Sequence, residues 1–100
     1  MPTLSVTAFC RAQAGRSDTL GEVLLSLVAP TRQEAGSIRY DVLQSADDAD
    51  LWLVREEWRS RADFDRHMAT PHVGAFLAQV PGLCAGEIDL RFFVTRSPRA

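Results

Sequence analysis

One hundred residues make a single-domain chain, and 46% apolar with 24% charged residues is the composition of a folded globular protein, which excludes disorder. No apolar run approaches the roughly 20 residues of a membrane-spanning helix, so a membrane class is excluded as well. With a net charge of −2 and 11 basic residues, all Arg and spread along the chain, there is no general attraction for a phosphate backbone, and nucleic acid is excluded as an expected partner.

The opening MPTLSVTAFCRA has no basic leader before a long apolar stretch, so a first strand is expected there, with a cytoplasmic address. Residues 3–12 alternate, with Leu4, Val6, Ala8 and Cys10 on one face and Ser5, Thr7, Phe9 and Arg11 on the other. Gly15 breaks this strand, and Ser17 and Asp18 suit the start of a helix, the first as a cap and the second as a charge at the positive end. Leu20, Val23, Leu24, Leu27 and Val28 then form one wide apolar stripe. Pro30 removes a hydrogen bond, which predicts a kink or a tightened last turn before Gly36 stops the helix.

A second strand is predicted over Ser37–Gln44, followed by the polar loop SADDAD and a third strand over Leu51–Trp58 in a hairpin. Ser60 with Asp63 has the spacing of a capping box for a helix that turns Phe64, His67 and Met68 inward. Thr70 and Pro71 restart a helix whose stripe is Val73, Phe76, Leu77 and Val80, with Gly82 as its stop. The last strand is predicted over 87–95, and the SPRA tail is expected to fray. Cys10 and Cys84 have no CxxC and no His at ligand spacing, so buried thiols are expected, with neither a disulfide nor a metal site.

The order β-α-β-β-α-β gives the fold class: α+β, ferredoxin-like, with both helices covering one face of a four-stranded antiparallel sheet, one domain over 1–100 and order over about 3–96. Phe9, Leu43, Leu51, Leu53 and Phe93 are all expected to face away from the helices. A sheet surface that apolar is uncomfortable in water, and burial against a second copy is the simplest remedy, so a homodimer is the expected assembly.

The stretches LVAPTRQEAGSIRYDVLQ and REEWRSRADFDRHMATPHVGAF carry a pattern spread over nearly the whole chain: Arg32, Glu34, Gly36 and Tyr40, then Glu56, Trp58, His67, Thr70, Pro71 and His72. This pattern resembles the antibiotic biosynthesis monooxygenase family, and within it the small quinol monooxygenase-like proteins. The departure is Ser37, where the family often has Cys; it touches packing and leaves the chemistry intact. The resemblance implies a dimeric α+β barrel with a pocket between helices and sheet in each subunit. It also implies oxidation of a quinol or a polycyclic phenol or polyketide by O2 with no metal, flavin or other cofactor.

That chemistry is physically coherent, because a deprotonated phenol is reducing enough to pass an electron to O2, and the protein then supplies a base, a dry pocket and orientation. No GxGxxG, P-loop or supported two-His-one-carboxylate pattern points to a cofactor. His67 or His72 is the expected base, since imidazole titrates near neutral pH. Trp58, Phe76 and Met68 are expected against a flat aromatic substrate, with Tyr40 and Glu56 bonding its oxygens. Each has a structural alternative. Either His can simply bond backbone, His72 in its TPH setting as a cap; Trp58 can be core; and an inward Glu56 needs a partner, for which Arg32 or Arg39 is the expected cation. Arg32 with Glu34 is expected to secure the turn into the second strand without a catalytic role.

Three other functions compete with the oxygenase. Haem degradation on this scaffold uses an Asn, and the chain contains none. Isomerisation of a phosphorylated signal calls for a dense cationic cluster, which the sequence lacks. A non-catalytic dimeric barrel that binds a small apolar metabolite uses the same pocket residues, so the sequence leaves it open.

Overall fold

The structure, a computed structural model, describes residues 2–98. Its elements run β1 (Leu4–Arg11), α1 (Ser17–Ser26), α2 (Val28–Arg32), β2 (Ser37–Gln44), β3 (Leu51–Trp58), α3 (Arg61–Met68), α4 (Pro71–Leu83) and β4 (Asp89–Val94). The strands form one antiparallel sheet in the order β2-β3-β1-β4, with helices on one face, the ferredoxin-like arrangement the alternation predicts. The expected fraying of the tail falls partly on Arg99 and Ala100, outside the described residues.

Period two decides what each strand buries. Val6, Ala8 and Cys10 of β1 are buried under the helices, as are Val54, Glu56 and Trp58 of β3 and Tyr40 of β2. Leu20 and Leu24 of α1, Phe64 of α3 and Val73 and Phe76 of α4 close over them. The opposite face carries Phe9, Leu53 and Leu43 in one cross-strand row, with Leu51 beside it and Phe93 opposite Ser5. These five therefore point away from the helices, as the alternation predicts. All six residues of β4 are exposed, because the helices only partly cover this edge strand.

Two local expectations are corrected and one is met. Ser17 is not the cap of α1: Arg16 holds that position with no side-chain bond, while the Ser17 hydroxyl donates to the Ala49 carbonyl (2.5 Å) and accepts from Trp52 Nε1 (3.0 Å). The hydroxyl thus ties the start of the helix to the β2–β3 loop, two partners against the one a cap would give. The tightened last turn expected at Pro30 is present, with Gln33 N–H bonding three residues back to Pro30 (3.3 Å) and Glu34 N–H to Thr31 (2.9 Å); a second tight turn lies upstream at Leu27, where α1 ends and α2 begins and Leu27 N–H bonds to Leu24 (3.1 Å). Gly82 does not stop α4, which runs through Pro81 and Gly82 to Leu83, with Gln13 Nε2 donating to the carbonyls of Pro81 (2.8 Å) and Cys84 (3.1 Å).

The capping signatures of the later helices are realised. Ser60 Oγ accepts from Asp63 N–H (3.2 Å), and Thr70 Oγ1 accepts from Val73 N–H (3.4 Å), with Pro71 at the first turn of α4. Asp63 is buried and held by Arg59, Arg66 and Ser60. Gly36 sits against it at φ +84°, where a side chain would be strained by the backbone and blocked by the carboxylate. This contact fixes the start of β2 against α3 and so sets the distance between Glu34 and His67.

Candidate active site

A cleft of about 150 Å³ lies between the helices and the sheet, floored by Ala8 of β1 and Glu56 of β3 and walled by His67 and Met68 of α3 and Val73, Phe76 and Leu77 of α4. Ile88 and Leu90 bound it on the β4 side, where cover by the helices is thinnest. Seven of these nine residues are apolar. Glu56 and His67 are the two polar groups, and they face each other, His67 Nε2 lying 3.9 Å from Glu56 Oε1.

Both groups are held from behind. His67 is 3% exposed, and its Nδ1 is 2.8 Å from Glu34 Oε2. The same carboxylate oxygen is 2.8 Å from His72 Nε2, so one acceptor holds two imidazoles. Glu34 comes from the α2–β2 turn, His67 from the last turn of α3 and His72 from the first turn of α4; the Thr70–Pro71 break turns α4 so that His72 meets Glu34. Trp58 lies beneath His67 with ring centroids 4.7 Å apart and donates its indole N–H to Glu56 Oε1 at 2.9 Å.

The electrostatics follow from burial. Desolvation pushes the Glu56 carboxyl up to about 7, against the opposing bond from Trp58, and the charge of Glu34 adds to the rise. Desolvation likewise lowers His67 below its ordinary value, outweighing the bond and charge of Glu34. His67 is therefore a neutral imidazole near neutral pH. With Glu34 accepting at Nδ1, the proton belongs on Nδ1, and the Nε2 lone pair is left on the Glu56 side, toward the cleft. Such an arrangement can take a proton from a bound acid and hold it within reach of a second carboxyl poised near neutrality.

Of the residues singled out in the sequence, the structure brings His67, Glu56, Met68 and Phe76 to the cleft. Trp58 is 0% exposed, so it has no free face for a substrate; it packs with Val6 and Phe64 and positions Glu56. Tyr40 is also buried beside the cleft, edge-on to His67 at 5.7 Å, and its burial raises the phenol pKa, which keeps it protonated. His72 is 24% exposed and reaches Glu34 from outside, without a helix-capping bond. Glu56 pairs with neither Arg32 nor Arg39; Arg32 donates to the Tyr40 carbonyl and to Asp41, and Arg39 lies 3.9 Å from Asp41.

The residue sequence reasoning missed is Glu34. Read as part of a turn with Arg32, it is instead the common anchor of both histidines. The available signal was the pairing of a lone acid just before Gly36 with two histidines five residues apart; nothing local to Glu34 shows which of its neighbours in space it meets. Together with His67 and His72 it also forms a two-His-one-carboxylate cluster that was not apparent from linear spacing. No helix among the described residues is long and apolar enough to cross a membrane.

Comparison with known proteins gives the same frame. The sequence pattern of the family "Antibiotic biosynthesis monooxygenase" matches residues 3–79, a span that contains Glu34, Glu56, Trp58 and both histidines. "Putative monooxygenase Rv0793" of Mycobacterium tuberculosis is 37% identical over 79 residues, covering 79% of this chain and 76% of that protein. Among solved structures, PA3566 from Pseudomonas aeruginosa superposes with a TM-score of 0.92 at 30% identity, covering 97% of both chains. The Rv0793 structure superposes with a TM-score of 0.91 at 26% identity, covering 98% of this chain and 99% of that one. A family pattern spanning most of the chain, a curated relative above 30% identity and near-complete structural superposition agree, and the chain belongs to the antibiotic biosynthesis monooxygenase family.

Proposed function

We propose that the protein is a cofactor-independent monooxygenase that oxidises a quinol or related phenol with O2. The observation that carries this reading is His67, buried at the wall of an apolar cleft with Nδ1 held by Glu34 and Nε2 directed to the cleft. A phenolic hydroxyl against Nε2 loses its proton to His67, and Glu56 accepts or returns a proton from the other side. The anion, in a cleft with little water, passes an electron to O2, and the superoxide formed joins the ring radical as a hydroperoxide; the O–O bond then breaks as that ring carbon loses its hydrogen, so one oxygen atom stays on the carbon, the other leaves as water, and the quinol ends as a hydroxyquinone with no outside reductant. Met68, Val73 and Phe76 orient the flat ring, while Trp58 and Tyr40 support the polar groups from below.

At about 150 Å³ the cleft is smaller than the ~300 Å³ at the low end of usual ligand pockets, which favours a one- or two-ring quinol over a polycyclic polyketide. The working assembly on this reading is a homodimer joined through the outer sheet faces, which covers Phe9, Leu43, Leu51 and Leu53. The mycobacterial relative's designation as a monooxygenase supports the reaction class.

The test is to mix purified protein with menadiol without oxygen, admit air, and follow oxygen consumption and the products. Oxidation faster than the spontaneous rate, with oxygen incorporated into the ring, is expected, and His67→Ala should lower it about 100-fold. An unchanged spontaneous rate across a set of one- and two-ring quinols contradicts the proposal. Ligand-induced stabilisation without turnover favours a binding protein instead.

A further inference from the structure

The Glu34–His67–His72 cluster is more than an anchor for a base: we infer that it is a binding site for a divalent first-row transition ion of the zinc class, and that the bound ion shuts off the cleft. Glu34 Oε2, His67 Nδ1 and His72 Nε2 lie within 4.8 Å of one another, and both nitrogens are 2.8 Å from the oxygen. Ligand atoms held tetrahedrally by bonds of about 2.1 Å sit roughly 3.4 Å apart, so admitting an ion requires the Glu34 oxygen to draw back from both nitrogens and the nitrogens to settle at that spacing, a rearrangement of three side chains that already converge. Two imidazoles and one carboxylate form a set that suits zinc, cobalt, nickel or copper and not magnesium or calcium.

The surroundings complete the site. The three ligands come from three elements, the α2–β2 turn, α3 and α4, whose relative positions are fixed by Gly36 against Asp63 and by the Thr70 cap. Glu56 stands 3.9 Å from the far nitrogen of His67, the place of a carboxylate that orients a metal-bound imidazole from behind. His72 is 24% exposed, which gives an ion a way in from the surface side without passing through the cleft. Glu34 supplies one negative charge against the two positive charges of the ion.

Binding changes the histidines in a defined way. The ion takes the Nδ1 lone pair of His67, so the proton once shared with Glu34 moves to Nε2, while His72 ligates through Nε2. His67 now presents an N–H to Glu56 and the cleft in place of a lone pair, and it can no longer accept a proton from a substrate. This second consequence rests on the proposed oxygenase function; the binding itself does not.

The probe is cobalt(II) titrated into the purified full chain, read by its visible d–d absorption, with zinc(II) as competitor. One cobalt per chain, displaced by zinc, is expected, with affinity at least about tenfold weaker in Glu34→Gln and in His72→Ala. Glu34→Gln keeps the size of the side chain and His72 is partly exposed, so both variants should fold, which their melting curves verify. Absence of a cobalt spectrum in the wild type, or binding unchanged by both substitutions, overturns the site. In the second arm, zinc should suppress menadiol oxidation and a chelator should restore it; full activity in zinc-loaded protein overturns the inhibition. A protein that never oxidises any quinol refutes the proposed function, while the cobalt titration still decides the metal site.

Discussion

The two faces of the sheet solve opposite problems. Beneath the helices, three acid and imidazole side chains are buried and held by neighbours: Glu56 by Trp58, His67 by Glu34, Asp63 by Arg59 and Arg66. On the outer face, apolar Phe9, Leu43, Leu51 and Leu53 surround a shallow depression, and the charges beside them, Asp41 with Arg32, Arg39 and Arg55, form surface ion pairs. Buried charge without a partner is expensive, so the helix side reveals its task by the partners it keeps. Exposed apolar surface is costly in another way, and the outer face reveals its task by what it lacks. The first pattern is the one the proposed chemistry uses, and the second is the one the proposed dimer would cover.

Substitutions on either side can break this contrast. The largest effect belongs to the helix side, where His67→Ala should cost about 100-fold or more in oxygen consumption with menadiol while leaving the oligomeric state unchanged. Next, Leu53→Asp places a charge in the middle of the Phe9–Leu53–Leu43 row. Analytical ultracentrifugation should show the wild type as the proposed dimer and the variant as a monomer at the same concentration, with an unchanged circular dichroism spectrum because the residue faces away from the core.

Glu56→Gln sharpens the comparison through pH. In the folded state Glu56 titrates at about 7 and in the unfolded chain near 4.5, so between those values the folded protein binds more protons. Its contribution to stability therefore falls as pH rises from 4.5 to 7, by roughly 3 kcal/mol, or on the order of 15 °C in Tm. His67, whose folded pKa lies below its ordinary 6.5, acts in the opposite sense by favouring the folded state as pH rises toward that value. The difference between wild type and Glu56→Gln isolates the carboxyl: melting temperatures at pH 5 and pH 7.5 should fall further in the wild type than in the variant. The smallest effect is on the outer face, where Asp41→Asn removes ion pairs whose Arg partners are half exposed and should cost less than ~1 kcal/mol by urea unfolding.

Strand alternation and capping residues made most of the fold legible. Val6, Ala8 and Cys10 against Phe9, and Trp52 through Trp58 by twos, assigned the faces correctly, because a period of two depends on nothing beyond the strand itself. Ser60 and Thr70 marked helix starts correctly for a similar reason. Ser17 and Gly82 misled because tertiary bonds, to Ala49 and from Gln13, reassigned the local groups. Within the site, His67, Met68, Phe76 and Glu56 followed from which side of their element they occupy. Trp58 lay on the correct face, but depth is not encoded in periodicity, and it is a support for Glu56 instead of a platform. Glu34 was legible only as part of a turn, since its function depends on two histidines that are 33 and 38 residues away.

The proposed chemistry depends on His67 offering a bare nitrogen to the cleft, and nitrogen-15 NMR of the histidine rings reads that directly. At neutral pH and without added metal, His67 should be the neutral tautomer with Nδ1 protonated and Nε2 free. A proton on Nε2, or a doubly protonated ring at that pH, would contradict it.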